Sequence, residues 1–303
     1  MKILYTFILL FITTTLVNHS SLAAVKTDWQ PYGFWENKGQ VTDQDGNPRA
    51  DVLYLFEQSG FTIALGKDFF SYQLAVTLPD PQVKGAMNPS VRTEQDDLSI
   101  SYPSFLIKYE RTDIKLAGAS KNVKLIAQDA SGETRNYYNT AGSFSGIHYF
   151  QKIIYENIYP DIDLVFYIQN DKGSKNPRLK YDFIIHPGGD VSKIQLEYAG
   201  PGAPSINENG ELVSLFPQTG FIKESKPLCY FQSAADSFFI PYQSNGSTIS
   251  FKPVKAVSNR KLTIDPEINW SLYLGGNKNE FIEVLEVDGS GNIYCSGQTF
   301  SFT

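Results

Sequence analysis

Leu179-Lys180-Tyr181-Asp182-Phe183-Ile184-Ile185-His186, followed by Pro187-Gly188-Gly189, carries the clearest periodicity in the 303-residue chain. Successive side chains of a strand point to opposite faces, so Leu179, Tyr181, Phe183 and Ile185 share one face and Lys180, Asp182, Ile184 and His186 the other. Period two with one polar face predicts a strand with one buried side. Pro187 lacks a ladder donor and the two glycines permit a sharp turn, so the strand ends there. Upstream, Ile162 to Gln169 is nearly all apolar and reads as a central strand covered on both sides.

The same pattern extends outward. Asp51 to Glu57, Phe61 to Leu65 and Phe69 to Leu78 are β-branched or aromatic runs separated by turn residues, which reads as a meander. Pro79 to Ser99 is polar and proline-rich, the composition of a long surface excursion. Strands resume at Ser104 to Glu110 and Lys121 to Gln128, and from Ile194 to Ile264 short runs recur about every ten residues, as sandwiches and barrels do. Phe150 to Asn157 is the one stretch read as a turn or two of helix. The fold class expected is all-β: one or two β-sandwich-like lobes, with Tyr138 to Gly146 as the seam between sub-lobes 24–140 and 147–266.

Composition agrees with an exported β-rich chain. Eighteen Tyr and 21 Phe contribute to an aromatic share of 14% while charged residues make up 19%, a balance suited to pleated, half-buried surfaces. Lys2, the apolar run Ile3 to Val17 and the small residues before Ala24 read as a secretory signal peptide, residues 1–23. The run is short for a membrane span of roughly 20 residues, and no later stretch is long and apolar enough. Formal charge is −6 over the whole chain, and with no dense basic cluster there is no electrostatic footprint for nucleic acid. Cys229 and Cys295 can pair or stay apart; two separate thiols are favoured, because the two fall in different predicted domains.

Candidate chemistry is sparse. Asp161 and Asp163, two apart at a strand start, share a face as a paired acid and base would, yet a turn-capping role is the stronger reading. Asp43, Asp45 and Asn47 place alternate oxygens around Gly46 like half of a calcium loop, but without the remaining ligands a plain hairpin turn is favoured, and no cofactor is expected. His19, His148 and His186 are the only histidines, and they form no zinc pattern. Trp29, Tyr32, Phe34 and Trp35 form an aromatic cluster. Trp29, Tyr32 and Trp35 can stack on sugar rings, while a plug for the end of the core is the favoured alternative. No catalytic motif is present: neither a Gly-x-Ser-x-Gly elbow nor a phosphate-binding glycine loop occurs.

Two longer patterns carry a resemblance. Trp270-Ser271-Leu272-Tyr273-Leu274-Gly275-Gly276 and Val287-Asp288-Gly289-Ser290-Gly291-Asn292-Ile293-Tyr294-Cys295-Ser296-Gly297-Gln298-Thr299 resemble one SBBP-type β-propeller repeat over Asn269 to Thr299. Upstream, Glu36 to Gln40, Asn157 to Tyr167, Leu179 to Phe183, Pro227 to Gln232 and Leu262 to Pro266 are similar to the uncharacterised domain that precedes such repeats in secreted bacterial proteins. That likeness runs from about Trp35 to Pro266 and departs at Asp161, where many relatives carry Gly.

The resemblance implies an N-terminal domain at 24–266 followed by a single incomplete propeller repeat at 267–303. It implies a noncatalytic, secreted or cell-surface protein, part of a larger propeller-repeat protein commonly exported by the type IX route. Structure, adhesion or binding of an extracellular ligand such as a polysaccharide or surface protein is the expected role. A secreted hydrolase acting on glycans is the alternative. A lone repeat has unpaired edges, so Asn269 to Thr303 is expected to be poorly anchored.

Overall fold

Strand-forming runs dominate wherever the computed structural model describes the chain, at residues 33–58, 60–79, 105–169, 178–231, 236–253, 260–273, 280–287 and 293–299. These residues all belong to one compact unit, Pro31–Thr303. The predicted signal peptide, Trp29 and Tyr32 lie outside the described residues, as does all of 79–99 except Pro79.

The strands are β1 (Phe34–Glu36), β2 (Tyr54–Gln58), β3 (Phe61–Leu65), β4 (Phe69–Pro79), β5 (Phe105–Leu116), β6 (Lys124–Asn139), β7 (Gly142–Tyr159), β8 (Ile162–Gln169), β9 (Arg178–Ile185), β10 (Gln195–Ala199) and β11 (Pro204–Ile206). They continue as β12 (Leu212–Phe216), β13 (Gly220–Glu224), β14 (Leu228–Tyr230), β15 (Phe238–Phe239), β16 (Tyr242–Asn245), β17 (Thr248–Phe251), β18 (Leu262–Asp265), β19 (Ile268–Leu272), β20 (Glu280–Val287) and β21 (Ile293–Thr299). The large antiparallel sheet follows the order β15-β14-β18-β9-β8-β7-β1-β2-β3-β4-β5-β10-β17-β16, with β6 added on β7. β11-β12-β13-β19 form a four-stranded sheet and β20-β21 a two-stranded one. The fold is therefore all-β and antiparallel, with a short 3-10 turn at Val191–Lys193.

One hydrophobic cluster draws on both larger sheets. Phe34, Phe61, Phe70, Tyr72, Tyr155, Phe166, Tyr181 and Phe183 of the large sheet join Leu212, Phe216, Ile222 and Ile268 of the small one. Rings from early and late strands touch edge to face: Phe70 lies 5.3 Å from Phe166, and Phe183 lies 5.7 Å from Phe251. Residues on either side of Tyr138 to Gly146 thus share a core, and that segment itself is the tip of the β6–β7 hairpin.

Three readings of the sequence need correction. Phe150 to Asn157 is strand, not helix: it lies within β7, where Ile153 and Tyr155 alternate inward and pair across to β8. Tertiary pairing on two sides overrides a weak helical signal. β9 is buried on both faces instead of one, since Lys180 and Asp182 are 6% and 8% exposed. Asn269 to Leu272 is anchored: β19 pairs with β13 from Ile268 to Leu272, and Trp270 stacks on Phe61 at 4.8 Å and 25°. Among the described strands β20 and β21, by contrast, pair only with each other.

Candidate functional site

The outer face of β9 sets the site. Register places Ile184 of β9 opposite Asp163 of β8 and Thr263 of β18, and Thr263 opposite Tyr230 of β14. One step along, Phe183 faces Ile264, so Asp265 falls beside Asp182. Two carboxylates thereby share one cross-strand position, an arrangement that disfavours charging both.

Burial makes the conflict sharper. The Asp182 carboxyl is pushed up to about 7, first by burial and next by the negative charge of Asp265, with Lys180 acting in the opposite direction. Lys180 Nζ lies 2.7 Å from Asp265 Oδ1, supplying charge but not the alignment a hydrogen bond needs. The Tyr167 hydroxyl donates to Asp182 Oδ1 at 3.4 Å. The same carboxyl opens into a groove of about 510 Å³ lined by Asp182, Ile184, Tyr230, Phe231, Arg260, Lys261 and Thr263. The Arg260 guanidinium sits 4.5 Å over the Phe231 ring, and Phe231 in turn packs on Phe238 at 5.7 Å. Aromatic walls, a carboxyl that exchanges its proton near neutrality and two cations at the rim can together hold a polar ligand.

The residues singled out in the sequence lie elsewhere. Asp163 accepts a hydrogen bond from the Asn157 backbone N–H at 2.8 Å and meets His186 Nε2 at 2.8 Å, so its carboxylate is taken up by the turn it closes. Asp161 sits at φ 58 in that turn, the left-handed region where glycine is easiest, and its carbonyl accepts from His186 N–H. The Asp43 carboxyl is lowered from its ordinary value, chiefly by hydrogen bonds from the Asn47 side chain and backbone, and accepts from the backbone N–H groups of Asp45 and Asn47 at 2.9 and 2.8 Å. Asp43, Asp45 and Asn47 thus form a self-satisfied turn. Trp35 is 5% exposed, with the Arg135 guanidinium 4.1 Å over its ring and Tyr149 at 4.8 Å. It borders a second cavity of about 320 Å³ whose cations Arg49 and Arg111 are already paired with Asp51 and Asp113. Cys229 and Cys295 are separate thiols, one buried and one exposed, and burial pushes Cys229 up to about 12.

Sequence reading missed a second buried acid. Glu224 on β13 is 1% exposed and points into the core, where the hydroxyls of Tyr72 and Tyr198 donate to Oε1 at 3.2 Å each and Tyr181 donates to Oε2. Burial raises its pKa while the three tyrosines oppose the rise. The signal was present: alternation from Gly220 through Ile222 puts Glu224 on the inward face. This cluster ties the small sheet to three strands of the large one.

Fold and groove together define an antiparallel all-β domain with a carboxyl-floored cleft on the outer face of its main sheet. The chain belongs to the family described as Domain of unknown function (DUF7948), whose model matches residues 34–267. Searches of curated proteins and of solved structures return no match. The matched span includes Glu224 and every groove residue and ends immediately before β19. No helix among the described residues is long and apolar enough to cross a membrane.

Proposed function

We propose that this chain is a ligand-binding module of an exported cell-surface or extracellular protein, the N-terminal domain of a larger propeller-repeat protein. The apolar N-terminal run and the resemblance of Asn269 to Thr299 to an SBBP repeat support export and the propeller context. In this reading the β20–β21 hairpin belongs to the first blade, β19 links it to the domain, and the preceding strands form one or two sandwich-like lobes that cap or present it. The observation that carries the binding role is the groove floored by Asp182 and Thr263. It takes an extracellular ligand and releases it unchanged.

A second reading has its own support. Asp182 and Asp265 are adjacent carboxyls, and one of them keeps a proton near neutrality, which suits a general acid in a secreted glycan hydrolase. Retention of the exported chain on a panel of immobilised polysaccharides and surface proteins separates the two. The binding module is retained, is released by Tyr230→Ala, and leaves the polymers intact. Shortened polymer that disappears with Asp182→Asn would replace the first reading by the second.

A further inference from the structure

The groove's cations reveal its ligand class. Every other arginine among the described residues is engaged: Arg49 and Arg111 with aspartates, Arg178 with Glu267, and Arg135 over Trp35. Arg260 has no carboxylate within ion-pair distance among the described residues, and neither does its neighbour Lys261, although both line the groove. Arg260 is nevertheless held in place, because its guanidinium lies on Phe231 and Phe231 packs on Phe238. A fixed, unpaired guanidinium is arranged to receive a planar or tetrahedral anion with little ordering cost.

The rest of the lining is suited to hydroxyl groups. Tyr230 is half-buried and hydrogen-bonds Thr263, and the Asp182 carboxyl below them can both donate and accept across the neutral range. Polar groups beneath a half-buried aromatic edge, with cations at the rim, match a sugar ring bearing an acidic substituent.

We propose that the groove binds an acidic polysaccharide, with Arg260 and Lys261 meeting its carboxylate or sulfate groups and Tyr230, Thr263 and Asp182 meeting the sugar hydroxyls. This rests on the binding role proposed above. An acidic peptide offers the anions but not the dense hydroxyls, so it is the less favoured occupant.

Calorimetric titration of the whole exported chain tests this with four probes: polygalacturonate fragments, heparin fragments, neutral dextran and polyglutamate. The expected result is binding to polygalacturonate or heparin, with affinity falling about tenfold or more in the paired variant Arg260→Ala, Lys261→Ala. Both side chains are exposed, so the melting temperature should hold. Dextran binding that survives the paired variant but is lost in Tyr230→Ala would overturn the acidic class while leaving a glycan-binding groove. Tighter binding of polyglutamate than of either acidic glycan would overturn the sugar assignment. Absence of binding to every probe, or unchanged affinity in the paired variant, would overturn the proposal as a whole.

Discussion

Two acids buried within the same domain illustrate opposite uses of a carboxyl group. Glu224 accepts from three tyrosine hydroxyls, so the chain has supplied donors for its lone pairs. Hydrogen bonds to a charged group contribute about 1.5–3 kcal/mol each, and an orphaned buried hydroxyl costs about 1–3 kcal/mol. Replacing Glu224 by Leu leaves three hydroxyls without their acceptor. Unfolding in urea should show a loss of about 3 kcal/mol after the relief of burying a charge is subtracted. Adding Tyr181→Phe to Glu224→Leu should then cost less than Tyr181→Phe alone in the parent chain. Equal costs would mean that the tyrosine and the acid are not energetically coupled. None of this was evident in the residue types alone, because a Glu in a short strand reads as solvent-facing until the strand's orientation is known.

Elements were more legible than residues. The β9 alternation, the β2–β4 meander and the turn at Pro187 are local patterns, and each emerges with its predicted strand or turn. What failed were statements about what covers an element. β9 is buried on its polar face because Tyr167 arrives from the neighbouring β8 while Asp265 and Tyr230 arrive from strands distant in sequence, and local periodicity carries no information about such neighbours. β19 fails in the same way: the repeat-like motif begins at Trp270, yet that ring is stacked on Phe61 of β3.

The tail therefore divides at Tyr273. β20 and β21 expose Phe281, Ile282, Val284, Leu285 and Tyr294 and make no sheet contact with the rest of the described strands. A chain ending at Tyr273 should melt within about 2 °C of the full chain, whereas Trp270→Ala in that shortened chain should lower the midpoint by roughly 8 °C. A large fall from the truncation alone would show that the hairpin is part of the core.

At the scale of the whole molecule, a continuous core makes the domain while the groove sits outside it, on the sheet's far face. The fold class was readable because aromatic alternation recurs along the chain. The groove was not, since Asp182, Tyr230, Arg260 and Thr263 come from three separate segments, and the family-like stretches that hold Asp182, Tyr230 and Thr263 carry no signature of a site. The acids that spacing did bring together, Asp161 and Asp163, are used by a turn.

Asp182 gives the account its most direct test. If the groove is a site, its carboxyl pair persists at the expense of stability; if it is a structural ion network, removing a member weakens the fold. The sign follows from the raised pKa: between about 4 and about 7 the folded state holds a proton that the unfolded state has lost, so this group's contribution falls as pH rises through that window. Asparagine mimics the protonated acid at every pH. Urea unfolding of Asp182→Asn and the parent chain, side by side at pH 4 and pH 8, is the measurement. The two should be nearly equal at pH 4, and the variant should be more stable by on the order of 3 kcal/mol at pH 8. A variant less stable than the parent at pH 8 would contradict the account and make the Asp182, Asp265 and Lys180 cluster a support of the sheet.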